Sequence, residues 1–262
     1  MANLVERIRI MQPEEKQVGL FWLGQAGFVL KSPAGTVLFI DAYLSHSVER
    51  IFGSQWKRIM PPPLAAEDVD CDWFISTHAH DDHMDVDSIP IICRNSRVHF
   101  AGPQECVKFY YLAGSEGYRI HELVPGKQMQ FGDFTCMVVF ADHGVLAPDA
   151  VGLVIEYAGL RIYHTGDTAF RPEKMGVAIG LQPQVMLPCI NGAYGNMDSE
   201  TAADLVHLTG ARMVIPTHFW MFVEHGGDPW QFQKNCQVTA PKAEVRWLTQ
   251  GEGILISAAN FD

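Results

Sequence analysis

A chain of 262 residues with 48% hydrophobic content can bury a large core, and no linker-like stretch divides it, so a single domain over 1–262 is expected. The formal net charge of −11, from 30 carboxylates against 19 Lys and Arg, argues against a nucleic-acid partner, because a phosphate backbone rewards clustered cations. No run approaches the ~18 apolar residues of a membrane span, and Arg7 and Arg9 interrupt the start where an export signal needs an apolar stretch, so no membrane partner and a cytoplasmic location are expected.

The first predicted elements are strands near 18–23, 27–30 and 37–41, with Asp41 closing the apolar run Val37 to Ile40. The stretch from Ala42 to Asp70 has no clear period. It carries His46, Arg50, Lys57 and Arg58 ahead of Pro61, Pro62 and Pro63. Two readings fit it equally: a cover that offers cations to an anionic substrate, or a solvated surface loop.

A buried strand follows at 72–76, around Trp73, Phe74 and Ile75. It runs straight into Thr-His-Ala-His-Asp-Asp-His-Met-Asp at 77–85. With independently shuffled residues, a His-x-His-x-(Asp/Glu)-His pattern would arise only about 0.002 times in such a chain, so chance is a poor explanation. Alternation along an extended segment points His78 and His80 to one side, whereas adjacent Asp82 and His83 diverge unless the backbone bends. Two metal ions follow more naturally than one. Imidazole mixed with carboxylate suits Zn²⁺, Mn²⁺ or Fe²⁺, while Ca²⁺ would demand mostly oxygen.

Helices near 86–94 and 103–113 flank a short strand at 97–101, and the middle of the chain, 119–164, is strand-rich. His143 follows the strand Cys136 to Phe140, and Asp167 follows Leu160 to Tyr163, with Arg171 just beyond as a candidate phosphate contact. The chain then alternates: helix 172–181, strand 185–189, helix 198–209, strand 213–216. Asp198 is an N-cap candidate ahead of Ala202, Leu205, Val206 and Leu208, whose spacing suits one helix face. His207 lies on that helix and belongs to no strand end. His218 directly follows Met213 to Ile215. Asn191 and Tyr194, after the strand Val185 to Cys189, are either donors to a developing oxyanion or ordinary turn residues. A lone strand-end Asp or His is commonly a turn or core residue. Asp41, His143, Asp167 and His218 together with the 78–83 cluster argue for one site. The pattern is that of layered sheets flanked by helices, an α/β protein. The six cysteines form no Cys-x-x-Cys pair and are expected as buried thiols.

The ordered series Asp41, His78-x-His80-x-Asp82-His83, His143, Asp167 and His218 resembles the motifs of metallo-β-lactamase fold hydrolases, over about 18–230. Within that superfamily, Phe-Trp-Leu-Gly-Gln-Ala-Gly-Phe (21–28), Pro-Asp-Ala-Val-Gly (148–152), Tyr-His-Thr-Gly-Asp-Thr (163–168) and Asn-Gly-Ala-Tyr-Gly-Asn-Met-Asp (191–198) resemble the L-ascorbate-6-phosphate lactonase branch. The resemblance implies a four-layer αββα sandwich. It implies His78, His80 and His143 on a first metal, Asp82, His83 and His218 on a second, and Asp167 bridging. Asp41 would orient the histidine loop from outside the ligand set. The implied cofactors are two divalent ions, Zn²⁺ or Mn²⁺, with Fe²⁺ admissible.

Such a site needs no nucleophilic side chain. Coordination takes the pKa of water from about 15.7 to about 7, so hydroxide is available at neutral pH. Consistently, the chain has no Gly-x-Ser-x-Gly elbow. The expected activity is hydrolysis of a lactone or ester in a small sugar acid, phosphorylated or not. The expected catalytic residues are Asp82, Asp167 and Asn191, and the expected substrate contacts are Asn191, Tyr194 and Arg171. Alternatives on the same fold are a phosphodiesterase or nuclease, which the acidic composition disfavours, and a metal-binding protein without turnover. Amidohydrolase barrels also begin with His-x-His after a strand but lack the Asp-His continuation. Exposed strand edges and apolar loops in the 42–70 segment are compatible with a homo-oligomer.

Overall fold

The computed structural model describes residues 3–261. In chain order, α1 (Leu4–Ile10) precedes the antiparallel strands β1 (Gln17–Gly24), β2 (Gly27–Lys31) and β3 (Val37–Ile40). Next come α2 (Ser47–Phe52), β4 (Trp73–Ile75), α3 (Ile89–Ile92), β5 (His99–Gly102), α4 (Gln104–Leu112) and β6 (Ile120–Glu122). A meander of β7 (Gln128–Phe131), β8 (Phe134–Phe140), β9 (Val151–Tyr157) and β10 (Leu160–His164) follows. The chain closes with α5 (Gly176–Gly180), β11 (Val185–Leu187), α6 (Ser199–Thr209), β12 (Met213–Val214), α7 (Pro229–Thr239), β13 (Glu244–Val245) and β14 (Gly253–Ser257).

The strands form two seven-stranded mixed sheets, ordered β14-β1-β2-β3-β4-β5-β6 and β13-β12-β11-β10-β9-β8-β7. Strand β1 explains why four layers result. Its residues are buried on both faces, and alternation divides them: Val18, Leu20 and Trp22 join the core between the sheets, while Phe21 and Leu23 join a second core under α1, α3 and α4. Strand β3 divides the same way, with Leu38 and Ile40 in one cluster and Phe39 in the other. Each such Leu, Ile or Phe contributes roughly 1.5–3 kcal/mol by leaving water. Helices α6 and α7 close the outer face of the second sheet through Ala202, Leu205, Val206, Phe232 and Cys236. The expected αββα layering is therefore what forms.

Helix α6 starts where its cap predicts. The Asp198 carboxylate accepts from the N–H groups of Glu200 and Thr201, and Gly210 ends the helix with φ 70°. One expected core residue is corrected: Leu208 is 43% exposed, and Thr209 takes the buried place because the face runs 202, 205, 206, 209. The helix expected over 86–94 shrinks to α3. The Asp85 side chain accepts from the N–H groups of Asp87 and Ser88 and so holds a turn in place of the expected first helical turn. The helix expected over 172–181 shrinks to α5, whose Gly176 and Gly180 are poor helix formers. The 42–70 stretch is not featureless, since α2 and short 3₁₀ turns at 54–56 and 66–68 lie within it. All six cysteines are buried free thiols. Among the described residues no helix is long and apolar enough to cross a membrane.

Strands β3, β4 and β5 run parallel, as do β10, β11 and β12. Parallel strands deliver their carboxyl ends to one edge of a sheet, where loops are free to carry polar groups. The candidate residues leave from those ends.

Candidate metal centre

After β4 the chain turns sharply: the N–H groups of His83 and Met84 both donate to the His80 carbonyl, at 2.9 and 2.7 Å. This is the bend that lets Asp82 and His83 serve the same group despite being adjacent. Asp41, at the end of β3 with φ 46°, anchors the loop. Its carboxylate accepts from the Thr77 N–H and Oγ1, both at 2.7 Å, and from His83 Nδ1 at 2.9 Å. His83 Nδ1 is thereby the protonated nitrogen, and Nε2 is left as the donor to a cation. The same logic applies to its neighbours. His78 Nδ1 lies 3.1 Å from Thr77 Oγ1, leaving Nε2 free, and His80 Nε2 lies 3.2 Å from the Leu146 carbonyl, leaving Nδ1 free.

Those free nitrogens converge. His80 Nδ1 is 2.9 Å from His78 Nε2 and 3.2 Å from His143 Nε2; on the other side His83 Nε2 is 3.3 Å from His218 Nε2. Asp82 Oδ2 lies 3.5 Å from His218 Nε2 and 3.8 Å from His83 Nε2. The ligand atoms of His78, His80 and His143 lie within 4.8 Å of one another, and so do those of Asp82, His83 and His218. Asp167 spans the two sets, at 3.1 Å from His218, 3.3 Å from His83 and 3.7 Å from His143.

This donor set fits divalent ions. Lone pairs facing each other at such distances repel unless a cation lies between them, and imidazoles bonded tetrahedrally to one ion at about 2.0–2.1 Å stand roughly 3.3 Å apart. Asp167 Oδ1 is buried and accepts no hydrogen bond, as expected of a ligand atom. Each residue expected to hold metal is thus brought to one place, and Asp41 stands where it is expected, outside the ligand atoms.

Asp167 owes its position to a turn that only glycine permits. Gly166 has φ +58°, and a Cβ there would meet the Val151 carbonyl at 2.7 Å. His164 ties this turn to the first sheet: the Gly166 N–H donates to His164 Nδ1 (3.0 Å), while His164 Nε2 donates to the Ala26 carbonyl (2.8 Å). His218, with φ 61°, is held by its own N–H donating to the Gln25 carbonyl at 3.2 Å. Backbone in this sparsely populated region costs energy and persists where the surroundings over-determine it.

Opposite charges hold each other ionised here. Burial pushes His83 and His218 down, but Asp167 and Asp82 together outweigh it, joined by Asp41 for His83; His83 stays well above the usual range and His218 rises to about 9. Burial pushes Asp82 and Asp167 up, and His83 and His218 outweigh it, holding both carboxyls well below the usual range. Burial, reinforced by the charge on His83, keeps His78 neutral, and burial dominates likewise at His143.

The ligands form one side of a cavity of about 190 Å³, and Val48, Phe52, Trp56, Leu146, Tyr194 and Phe222 form the rest with Asp81 and His225. The 42–70 segment does cover the site, through α2 and the turn at 54–56. Its cations do not. Arg50 pairs with Asp87 at 2.6 Å, and Arg58 is buried over the Tyr43 ring, donating to the carbonyls of Met60 and Ser45, both at 2.6 Å. His46 approaches Glu49 at 3.7 Å. The expectation for Arg171 is corrected in the same way: its Nε donates to Asp142 at 3.1 Å, and it does not line the cavity. Asn191 is also corrected. Its Oδ1 accepts from Asn196 Nδ2 at 3.1 Å, its Nδ2 reaches only the Ala193 carbonyl at 3.4 Å, and the cavity wall does not include it. Asn191 therefore positions Asn196, which donates to Asp167 Oδ2 at 2.7 Å. Tyr194 does line the cavity.

Three further residues of the site carry little mark in the sequence. Gln25 is fully buried in the β1–β2 turn, with Nε2 2.7 Å from Asp82 Oδ2 and 3.0 Å from His225 Nδ1. The ring of His225 stacks on that of His218 at 4.8 Å between centroids, and burial followed by the charge on His218 lowers its pKa to about 4. Asn196 is the third. Gln25 does lie inside the conspicuous run at 21–28, but nothing local marks it as polar and buried.

The family described as the β-lactamase superfamily domain matches residues 36–219. A UPF0173 metal-dependent hydrolase of Anaeromyxobacter dehalogenans is 31% identical over 253 residues, covering 89% of this chain and 85% of that protein. A metallo hydrolase from the archaeon Ignicoccus hospitalis has a TM-score of 0.73 at 23% identity, covering 92% of this chain and 99% of that one. The metallo-β-lactamase fold protein YhfI of Bacillus subtilis has a TM-score of 0.69 at 16% identity, covering 92% and 100%. At such identities the structural likenesses speak for the fold.

Proposed function

Since the chain belongs to the β-lactamase superfamily and, with its relatives, to the UPF0173 metal-dependent hydrolases, we propose that it hydrolyses a lactone or ester of a small molecule with two divalent ions, Zn²⁺ or Mn²⁺. The observation that carries this reading is the pair of three-donor groups joined by Asp167. Bound there, the ions would supply Lewis acidity and ionise water at neutral pH.

The protein's own side chains prepare the site in specific ways. Asp41, Thr77 and the Leu146 carbonyl select the ring nitrogen that each loop histidine offers. Gln25 and Asn196 hold Asp82 and Asp167 by one oxygen each. The neutral His225 ring accepts from Gln25 at Nδ1, so its proton sits on Nε2, and this ring lines the cavity. His225 takes the role expected of Asn191, donating to a carbonyl oxygen as charge develops on it. Lactone chemistry is further supported by the resemblance of 21–28, 163–168 and 191–198 to L-ascorbate-6-phosphate lactonases. A phosphorylated substrate has less support, because Arg171, Arg50 and Arg58 are engaged elsewhere. Buried free thiols suit the reducing cytoplasm proposed as its location.

The test is elemental analysis of the purified protein together with rates on a panel of lactones, simple esters and a phosphodiester. Bound divalent metal and lactone or ester turnover are expected. Rapid phosphodiester cleavage without lactone or ester turnover would overturn the reading.

A further inference from the structure

Above the ligands, the cavity wall carries no Lys or Arg among the described residues, and its charged groups beyond the histidines are the carboxylates of Asp81, Asp82 and Asp167. An anionic substituent placed there would lose hydration and gain no counter-charge from the protein. The remaining wall is apolar and largely aromatic, and its rings touch one another. Trp56 is the centre: its ring lies 5.8 Å from Tyr194, 5.8 Å from Phe222, 6.3 Å from Phe52 and 5.4 Å from His225, between centroids. Such tilted and edge-on pairs hold one another in place.

Several of these groups stay in water even so. Phe52 is 52% exposed, Tyr194 46% and Leu146 52%, and next to Leu146 the side chain of Val145 is 95% exposed. Scattered exposed apolar residues are ordinary, but Phe52, Tyr194 and Leu146 converge on one cavity that also holds the metal ligands. A volume of about 190 Å³ is below the ~300–1,000 Å³ of pockets for drug-sized ligands, so it suits one ring or a short alkyl chain beside the reacting group.

We propose that the substrate carries an uncharged apolar substituent, a short alkyl chain or a single ring, seated against Trp56, Phe52 and Tyr194 with its reacting carbonyl turned to the ligand set. This rests on the hydrolase reading above and sharpens it from any small lactone or ester to a hydrophobic one. The wall acts as a sieve on the part of the molecule that does not react.

Two series test it on metal-loaded protein. The first is turnover of γ-lactones bearing methyl, propyl and pentyl side chains, beside a phosphorylated sugar lactone. The second is calorimetric affinity for hydroxamic acids, which bind metal without turnover: acetohydroxamate, hexanohydroxamate, benzohydroxamate and the anionic monohydroxamate of succinate. Each methylene that the wall buries is expected to raise kcat/KM or affinity up to about fourfold, so the longest members should exceed the shortest by about tenfold or more, with the anionic members weakest. Trp56→Ala should flatten both slopes. Phe52→Ala, at an exposed position whose loss leaves the fold intact, should reduce them. A sloped hydroxamate series without lactone turnover would sink the lactonase reading and keep the apolar wall. A flat hydroxamate series, failure of every hydroxamate to bind, or a preference for the anionic members would overturn the proposal.

Discussion

The ligand floor of the cavity and its aromatic wall face each other across a few ångströms but are held by different means. On the floor, His78, His83, His143, Asp167 and His218 are buried, and nearly every one is fixed by a further partner: Asp41, Thr77, Asn196 or the Gln25 carbonyl. The wall is built by α2, the turn after it and the loop at Tyr194, and Phe52 and Tyr194 stand half in solvent with only ring contacts to steady them. Chemistry demands geometry within a fraction of an ångström, which buried hydrogen bonds supply. Recognition of an apolar group demands only shape and dryness, so the two regions are free to vary independently.

Substitutions should separate them. The largest effect is expected from Asp167→Asn, which weakens the one group that both donor sets share. Metal content per chain should drop and kcat/KM fall well beyond the roughly 10–100-fold that outer partners carry. Full metal content with undiminished rate would remove the floor as the seat of chemistry.

Acid–base behaviour gives the next largest effect. His218 faces Asp82, Asp167, His83 and His225, and without metal its pKa rises from 6.5 to about 9. A raised folded-state value stabilises below the unfolded value and is lost as pH climbs through the folded one. Metal-stripped protein should therefore lose stability between pH 6.5 and 9, on the order of 3 kcal/mol from this group. The lowered Asp82 and Asp167 act with opposite sign, losing their contribution only as acid protonates them. For the same reason, metal binding at pH 7 should release protons, His218 giving up its own. Calorimetry in buffers of different ionisation enthalpy counts them, and a release of none would contradict the charge pairing described here.

A smaller effect is expected for Asp41→Asn, which leaves every ligand atom present but weakens the partner of His83 Nδ1. Metal affinity, read by chelator competition, should fall roughly 10–100-fold. The smallest belongs to Arg171→Ala. Its exposed pair with Asp142 should be worth no more than about 1 kcal/mol, and steady-state kinetics should show KM unchanged. A large rise in KM would return Arg171 to the substrate site.

Much of the floor is legible in the order of residues. His78 to His83 crowd one short segment, and His143, Asp167 and His218 each follow a recognisable apolar strand, so local pattern alone nominates them. The cap at Asp198 is equally plain. The 42–70 segment is legible as a cover, but its cationic residues stand out in the sequence while its Val48, Phe52 and Trp56 do the covering.

Residue order thus nominated the candidate metal ligands and dictated the strands that carry them, because ligand spacing and hydrophobic alternation are properties of neighbours along the chain. Folding in space settled which side chains meet. Gln25 finds His225 across 200 residues, Asn196 rather than Asn191 reaches Asp167, and Arg58 turns to backbone carbonyls instead of a substrate. Those outcomes depend on which partner in space satisfies a buried polar group, and the local pattern of residues does not say which partner a side chain will meet.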